Sequence, residues 1–184
     1  AIVAGLTATA VAFEKLIGNI ANYQDLAEKT GADPAGLAAL RTAADVGGTS
    51  VEALGAAANR LQTGLSKVDD ESKGVGRALQ AIGINVQDFK KLSPEVQLRE
   101  IAKGLNQYAD GGSKVAVVQA ILGRGSAELL PAMKELGNEQ EAVNRLTNEQ
   151  IGIADDYKDA QARAHSEVMQ MAEVLAVQAL PAVT

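Results

Sequence analysis

Apolar residues along this chain recur at steps of three and four, the spacing that stacks side chains on one face of an α-helix; the strict alternation of a half-buried strand is absent. The most regular stripe runs through Val51, Leu54, Ala58, Leu61, Leu65, Val68, Val75, Leu79 and Ile82, interrupted only by Ser72. It predicts one long coiled-coil-like helix over residues 50–82, despite Gly64, Gly74 and Gly76. Each glycine costs roughly 1 kcal/mol relative to Ala, so a helix of this kind depends on a partner. A second stripe, Ala154, Tyr157, Gln161, Ala164, Val168, Met171, Leu175 and Gln178, predicts a long last helix over residues 148–180, ending at Pro181. Two glutamines inside an apolar seam fit a specified, weakly stable oligomer, and one side of an antiparallel hairpin fits equally well.

Helix punctuation fills the space between these stripes. A first helix is expected over residues 1–29, stopping at Thr30-Gly31. Asp33-Pro34 reads as an N-cap followed by Pro at the first helical position, opening a short helix that ends at Gly47-Gly48. Thr49 with Glu52 reads as a capping box. Gly83 is a stop, Asn85 caps a turn holding Val86 and Phe89, and Ser93-Pro94-Glu95 starts a helix whose inner face is Leu98, Ile101, Ala102, Leu105, Tyr108 and Ala109. Asp110-Gly111-Gly112 breaks it. A compact helix over 113–122 carries Val115, Val118, Ile121 and Leu122; Gly123-Arg124-Gly125-Ser126 is a turn with Ser126 as the next N-cap. A short helix with Leu129, Leu130, Met133 and Leu136 follows, and Asn138 with Glu141 and Thr147 with Gln150 read as further capping boxes. The fold class is therefore all-α: helices joined by Gly, Pro and Asn breaks, as hairpins or a bundle with two long coiled-coil-like helices, completed by oligomerisation. Three regions are expected: an apolar helix over 1–29, a core of short and medium helices over 30–147, and the long helix over 148–184.

Composition narrows the class of function. Hydrophobic residues make up 47% of the 184, yet aromatics only 3%, so the core is built from Ala, Leu, Val and Ile and is thin. With no cysteine, disulfides, zinc thiolates and thiol catalysis are excluded. A net charge of −6 with scattered Lys and Arg gives no basic stripe for nucleic acid. Residues 1–13 carry no charge and begin without an initiator Met, which suggests a piece of a longer polypeptide. Thirteen residues fall short of the roughly 20 that span a bilayer, so this stretch reads either as the end of a membrane-active helix or as a helix buried among others.

No constellation for catalysis stands out. His165 is the only histidine and lies in a charged helix; Asp69-Asp70-Glu71 and Asp155-Asp156 lack the spacing and central Gly of a calcium loop. Gly74-Val75-Gly76 follows no strand, and Gly123-Arg124-Gly125-Ser126 has no following Lys, so neither is a nucleotide loop. No residue is assigned a catalytic, cofactor-binding or metal-binding role, and no cofactor is expected. A peptidoglycan hydrolase is the enzyme alternative, but its sugar cleft is usually lined with aromatic rings, of which the chain has only two Phe and three Tyr. A cellular membrane-associated helical protein is a third reading.

Residues 79–131 carry the most specific pattern. It runs Leu79-Gln80-Ala81-Ile82-Gly83-Ile84, Phe89-Lys90-Lys91-Leu92-Ser93-Pro94-Glu95, Ile101-Ala102-Lys103-Gly104-Leu105, then Ile121-Leu122-Gly123-Arg124-Gly125-Ser126-Ala127-Glu128-Leu129-Leu130-Pro131. This order resembles the tail tape measure proteins of long-tailed bacteriophages. The Thr30 to Pro34 step, the Gly47 to Leu54 step and the apolar opening extend the likeness over nearly the whole chain, while Leu122 replaces the family's frequent Phe. The resemblance marks Gly83, Pro94, Ile101, Gly123 and Leu130 as fold-defining positions and carries no catalytic role.

What it implies is a virion structural and assembly protein. It fills the tail tube, sets tail length, and leaves ahead of DNA at genome ejection, with a channel in the host envelope as an associated role. The implied partners are other copies of the chain, the tail tube protein, tail tip or baseplate proteins, tail assembly chaperones and, at ejection, the host inner membrane, with no specific nucleic acid. The implied locations are the tube lumen or tail tip, the host cytoplasm during assembly and the envelope during ejection.

Overall fold

The computed structural model describes residues 2–67, 74–138 and 146–179, with side chains placed from residue 11 to residue 174 within those spans. Every regular element among them is helical: α1 (Ile2–Thr30), α2 (Pro34–Ala38), α3 (Arg41–Val46), α4 (Val51–Leu65), α5 (Gly74–Ala81), α6 (Val86–Phe89), α7 (Pro94–Asn106), α8 (Gly112–Leu122), a 3-10 turn η1 (Ser126–Leu129), α9 (Leu130–Asn138) and α10 (Asn148–Ala179). The all-α class read from the stripes holds. Two compact units divide the chain, Ala1–Gln24 with Glu149–Thr184, and Asp25–Asn148. The boundaries fall inside α1 and just past the first residue of α10.

Local signals set many of the helix ends. Asp33 caps α2 by accepting from the Gly36 N–H at 2.7 Å, and Pro34 occupies the first helical position. Asn85 accepts from the N–H groups of Gln87 and Asp88 and so starts α6. At the end of α5 the chain turns through Gly83 at φ 80°, a conformation glycine adopts without strain, and the Ile84 N–H reaches back to the Leu79 carbonyl at 3.0 Å. α10 begins one residue after Thr147, and α1 stops at Thr30.

Other expectations are corrected, each by a contact with a distant part of the chain or by the local turn. The helix foreseen from Pro34 to Gly47 is two, α2 and α3, because the Ala39 carbonyl at the break accepts from the Arg99 guanidinium of α7. The cap of α4 is Ser50, which accepts from the Ala53 N–H, one residue later than the Thr49–Glu52 box. The single helix over residues 50–82 is broken: α4 ends in a turn at Ser66 and Lys67, where the Ser66 hydroxyl donates to the Thr63 carbonyl. α5 starts at Gly74, φ 55°, and its Val75 packs against Gly64 of α4. The stripe keeps its rhythm across the break because both helices turn their apolar face inward; Leu54, Leu61, Leu65, Leu79 and Ile82 are all buried. Val68 and Ser72 lie outside the described residues, as does Glu141. Asn138 is the last residue of α9, and the stretch it was expected to cap lies outside the described residues; Tyr108 and Ala109 follow the end of α7.

The core of the Asp25–Asn148 unit is centred on α7. Its Leu98, Ile101, Ala102 and Leu105 are buried, and α9 packs along it with Ala132, Met133 and Leu136. Helix α4 covers a further flank of α7 with Leu54 and Leu61, α8 packs on α5 and α4 with Val118, Ile121 and Leu122, and Phe89 is the one buried phenylalanine. Each fully buried Leu or Ile contributes about 1.5–3 kcal/mol. With so little aromatic volume, the helices close the gaps by bringing backbones together. A Cβ on Gly137 would lie 2.6 Å from the Ala102 carbonyl oxygen, and one on Gly104 would lie 2.8 Å from the Ile82 carbonyl oxygen. Gly47, at the end of α3, meets the Ala132 backbone in the same way.

In the other unit, Phe13 of α1 meets Tyr157 of α10 edge to face, ring centroids 6.5 Å apart. Gln161 donates to the Glu14 carboxylate at 3.0 Å, and Ala21, Tyr23, Ile151 and Ala154 are buried. Among the described residues no helix is long and apolar enough to cross a membrane.

Gly137→Ala is expected to destabilise the chain by about 1–3 kcal/mol in urea unfolding, because α7 and α9 must separate to admit the methyl group. Gly18→Ala, whose Cβ meets nothing within 4 Å, is the control and is expected to raise stability by up to about 1 kcal/mol.

Candidate functional site

The residues weighed for chemistry do not converge. His165 is exposed on α10, as is Asp156, with Asp155 half-buried beside it; Asp69, Asp70 and Glu71 lie outside the described residues. Among the described residues no group of acidic and imidazole side chains is placed to hold a metal ion. Gly74 and Gly76 belong to the first turn of α5, and Gly123 and Gly125 form the turn between α8 and η1. Ser126, expected to cap the next helix, does something else. It is buried, with its hydroxyl 2.7 Å from the Gly123 carbonyl and 3.1 Å from that of Val118, so it satisfies acceptors at the end of α8.

The resemblance positions are structural in place as well as in type. Pro94 opens α7, Ile101 is fully buried on it, Gly83 and Gly123 turn the chain with positive φ, and Leu130 begins α9 half-buried. Pro94 lies beside a polar network that the sequence pattern did not reveal. Gln97 is buried, donates to the Phe89 carbonyl at 2.9 Å and accepts from Gln62 of α4. The Glu95 carboxylate is also buried; it accepts from the Ser93 hydroxyl and from the Asp33 N–H. Ser93 therefore serves Glu95 and does not cap α7 through its side chain. Asn148 completes this clasp, donating to the Asp33 carboxylate at 2.7 Å and accepting from the Ala35 N–H at 2.9 Å. Sequence spacing marks Ser93-Pro94-Glu95 as a helix start, but nothing local says that Glu95 bonds a loop 62 residues away.

An open cleft of about 430 Å³ lies between the start of α8 and the start of α9, lined by Asp110, Gly111, Lys114, Val115, Leu130, Pro131 and Lys134. Lys114 is the unusual member. Its side chain is only 10% exposed, and its ammonium is 3.0 Å from the Asp110 carboxylate, which is 86% exposed. The hydrogen bond from Lys114, then its charge, and more weakly the charge of Lys134, hold the Asp110 carboxyl below the usual carboxylate range. The cleft thus pins the loop before α8; its two cations and one anion form no acid–base pair poised for catalysis.

A further exposed feature is the outer part of α10. From Asp159 to Val174 every side chain of α10 is exposed, and Val168, Met171 and Val174 show 62%, 66% and 55% of their area to solvent. Val168 and Met171 belong to the second stripe, so its apolar seam is bare along this part of the helix. Apolar side chains are thus left open to solvent on one face of the helix.

Because the Asp110 carboxyl is depressed in the folded chain, its stabilising contribution is complete above the unfolded value of about 3.9 and is lost as pH falls through the lower folded value. Asp110→Asn is expected to lower the unfolding midpoint at pH 7, with the difference from the parent vanishing toward pH 2, as read by thermal melts across that range.

The chain matches no protein-family model, no curated protein and no solved structure, so its functional reading stands on its own residues.

Proposed function

We propose that this chain is a structural and assembly element of a long-tailed phage virion, part of a tape measure protein that fills the tail tube, sets tail length and leaves ahead of the DNA. One observation carries the reading. The ordered series over residues 79–131 that resembles the family falls on positions that cap, turn and pack: Gly83, Pro94, Ile101 and Gly123. A packing signature of this kind suits a protein whose work is contact. The bare face of α10 supports the same class, and a net charge of −6 lets the chain lie beside a DNA path without being held by it. The partners on this reading are the tail tube protein, tail tip or baseplate proteins, assembly chaperones and, at ejection, the host envelope.

Within such a protein the segment suits docking or channel formation better than measurement. A ruler adds about 1.5 Å per residue only while the helix is unbroken. Here the chain stops or turns at Gly31, Gly48, Gly83, Gly111 and Gly123, and Val75 of α5 folds back onto Gly64 of α4. Folded pieces turn sequence into bulk and contact area.

Deleting residues 50–82 from the tail protein that carries this chain tests both levels. The expected result is failed tail assembly, or tails of normal length that do not deliver DNA. Infectious tails uniformly shorter by about 50 Å in electron micrographs would assign the segment to the measuring rod instead. The hydrolase alternative has its own test. The purified chain is expected to release no soluble fragments from peptidoglycan, and release abolished by one Asp or Glu substitution would replace the tail reading with an enzymatic one.

A further inference from the structure

We infer that Asp110-Gly111 is a modification site, where the backbone cyclises to a succinimide and reopens as isoaspartate, and that the nearly buried Lys114 ammonium is the group that holds this reaction off. This chemistry needs nothing from the tail reading, so either can fail alone.

Sequence picks out the position. Asp110 is the one Asp or Asn in the 184 residues that is followed by glycine. Ring closure brings the next residue's amide nitrogen onto the side-chain carboxyl carbon, and a Cβ on that residue obstructs the approach; Gly111 has none. The fold leaves room for the ring. Asp110 lies between the end of α7 and the start of α8, outside either helix, and Asp110, Gly111 and Gly112 are all exposed. A Cβ built on Gly111 or on Gly112 would meet nothing within 4 Å.

The reaction balances within the chain. The Gly111 nitrogen bonds to Asp110 Cγ, and a carboxyl oxygen leaves as water with the amide proton and the carboxyl proton. Water then adds to one of the two imide carbonyls and breaks its bond to nitrogen. Addition at the Asp110 backbone carbonyl returns a chain that runs through Cβ and Cγ, with a free α-carboxylate and no change in mass. Because the leaving oxygen needs a proton, an ionised and tethered carboxylate is the unreactive form. Lys114 enforces that form: its ammonium sits 3.0 Å from Oδ1, and Lys134 of α9 adds a weaker positive charge across the cleft. Isoaspartate lengthens the backbone by one atom and takes the carboxylate off Lys114. It also displaces Gly111, whose carbonyl accepts from the Val115 N–H at the start of α8. Conversion therefore unfastens the first turn of α8 and leaves an ammonium that is only 10% exposed without its anion.

Ageing the full 184-residue chain at neutral pH and digesting it with trypsin isolates residues 104–114, cut after Lys103 and Lys114. Electron-transfer fragmentation of that peptide separates isoaspartate from aspartate. Slow conversion at Asp110, ahead of every other Asp, is expected. Lys114→Met, whose apolar side chain fills the same place, is expected to convert several-fold faster with unchanged helical circular dichroism. Asp110→Glu, which must close a larger ring, is expected to give no isomer in this peptide. The parent is also expected to convert several-fold more slowly folded than unfolded in urea, a comparison that needs no variant. Three results overturn the proposal: Lys114→Met converting no faster than the parent, isoaspartate gathering first at another Asp, or equal rates in the folded and the urea-unfolded chain.

Discussion

Close approach of helix backbones is the constraint on which the Asp25–Asn148 unit depends. A core with one buried phenylalanine cannot fill wide gaps between helices, so the gaps have to be narrow. Gly137 lets α9 rest on the Ala102 carbonyl of α7, Gly104 lets α7 rest on the carbonyl of Ile82, and Gly47 lets the end of α3 rest on Ala132. Leucine and alanine then fill what space remains. Had any of these positions carried a side chain, the buried leucines around it would face voids, at a cost that grows with cavity volume.

The same constraint explains how much of the fold could be read from the chain. Features set within a few residues were legible: the Asp33 and Asn85 caps, Pro94 at the start of α7, the stop at Gly83 and the extent of α10. Features set by a distant partner were not. Nothing near Ala39 announces that Arg99 takes its carbonyl, and so residues 34–46 read as one helix instead of two. Residues 50–82 kept an unbroken rhythm because two successive inward-facing helices repeat the periodicity of one long helix; periodicity reports which face is buried, not whether the axis continues. The α10 seam was legible as a stripe, whereas its division into a covered and a bare part depends on where Phe13 and Glu14 fall.

Polar groups inside the unit serve the same end as the glycines. Gln97 adds a second donor to the Phe89 carbonyl at the end of α6, which also accepts from the Leu92 N–H, Ser126 donates to carbonyls at the end of α8, and Glu95 answers an amide of the loop before α2. Among the described residues no buried side-chain nitrogen or oxygen lacks a partner. Short helices multiply helix ends, and every end exposes backbone groups that need answering. The network is therefore the cost of building from many short helices, met by three buried polar residues, Glu95, Gln97 and Ser126.

The Asn148 clasp also orders events in time. Asp33 and Ala35 leave the ribosome more than 110 residues before the side chain that binds them both. At ordinary synthesis rates that interval is on the order of ten seconds. Until it has passed, the Ala35 amide lacks its bond to Asn148, and the Asp33 amide waits for Glu95, itself made midway. The bond between the unit's first and final segments is therefore one that synthesis makes available late, and a chain interrupted shortly before residue 148 lacks it while it already holds Glu95, Gln97 and Ser126.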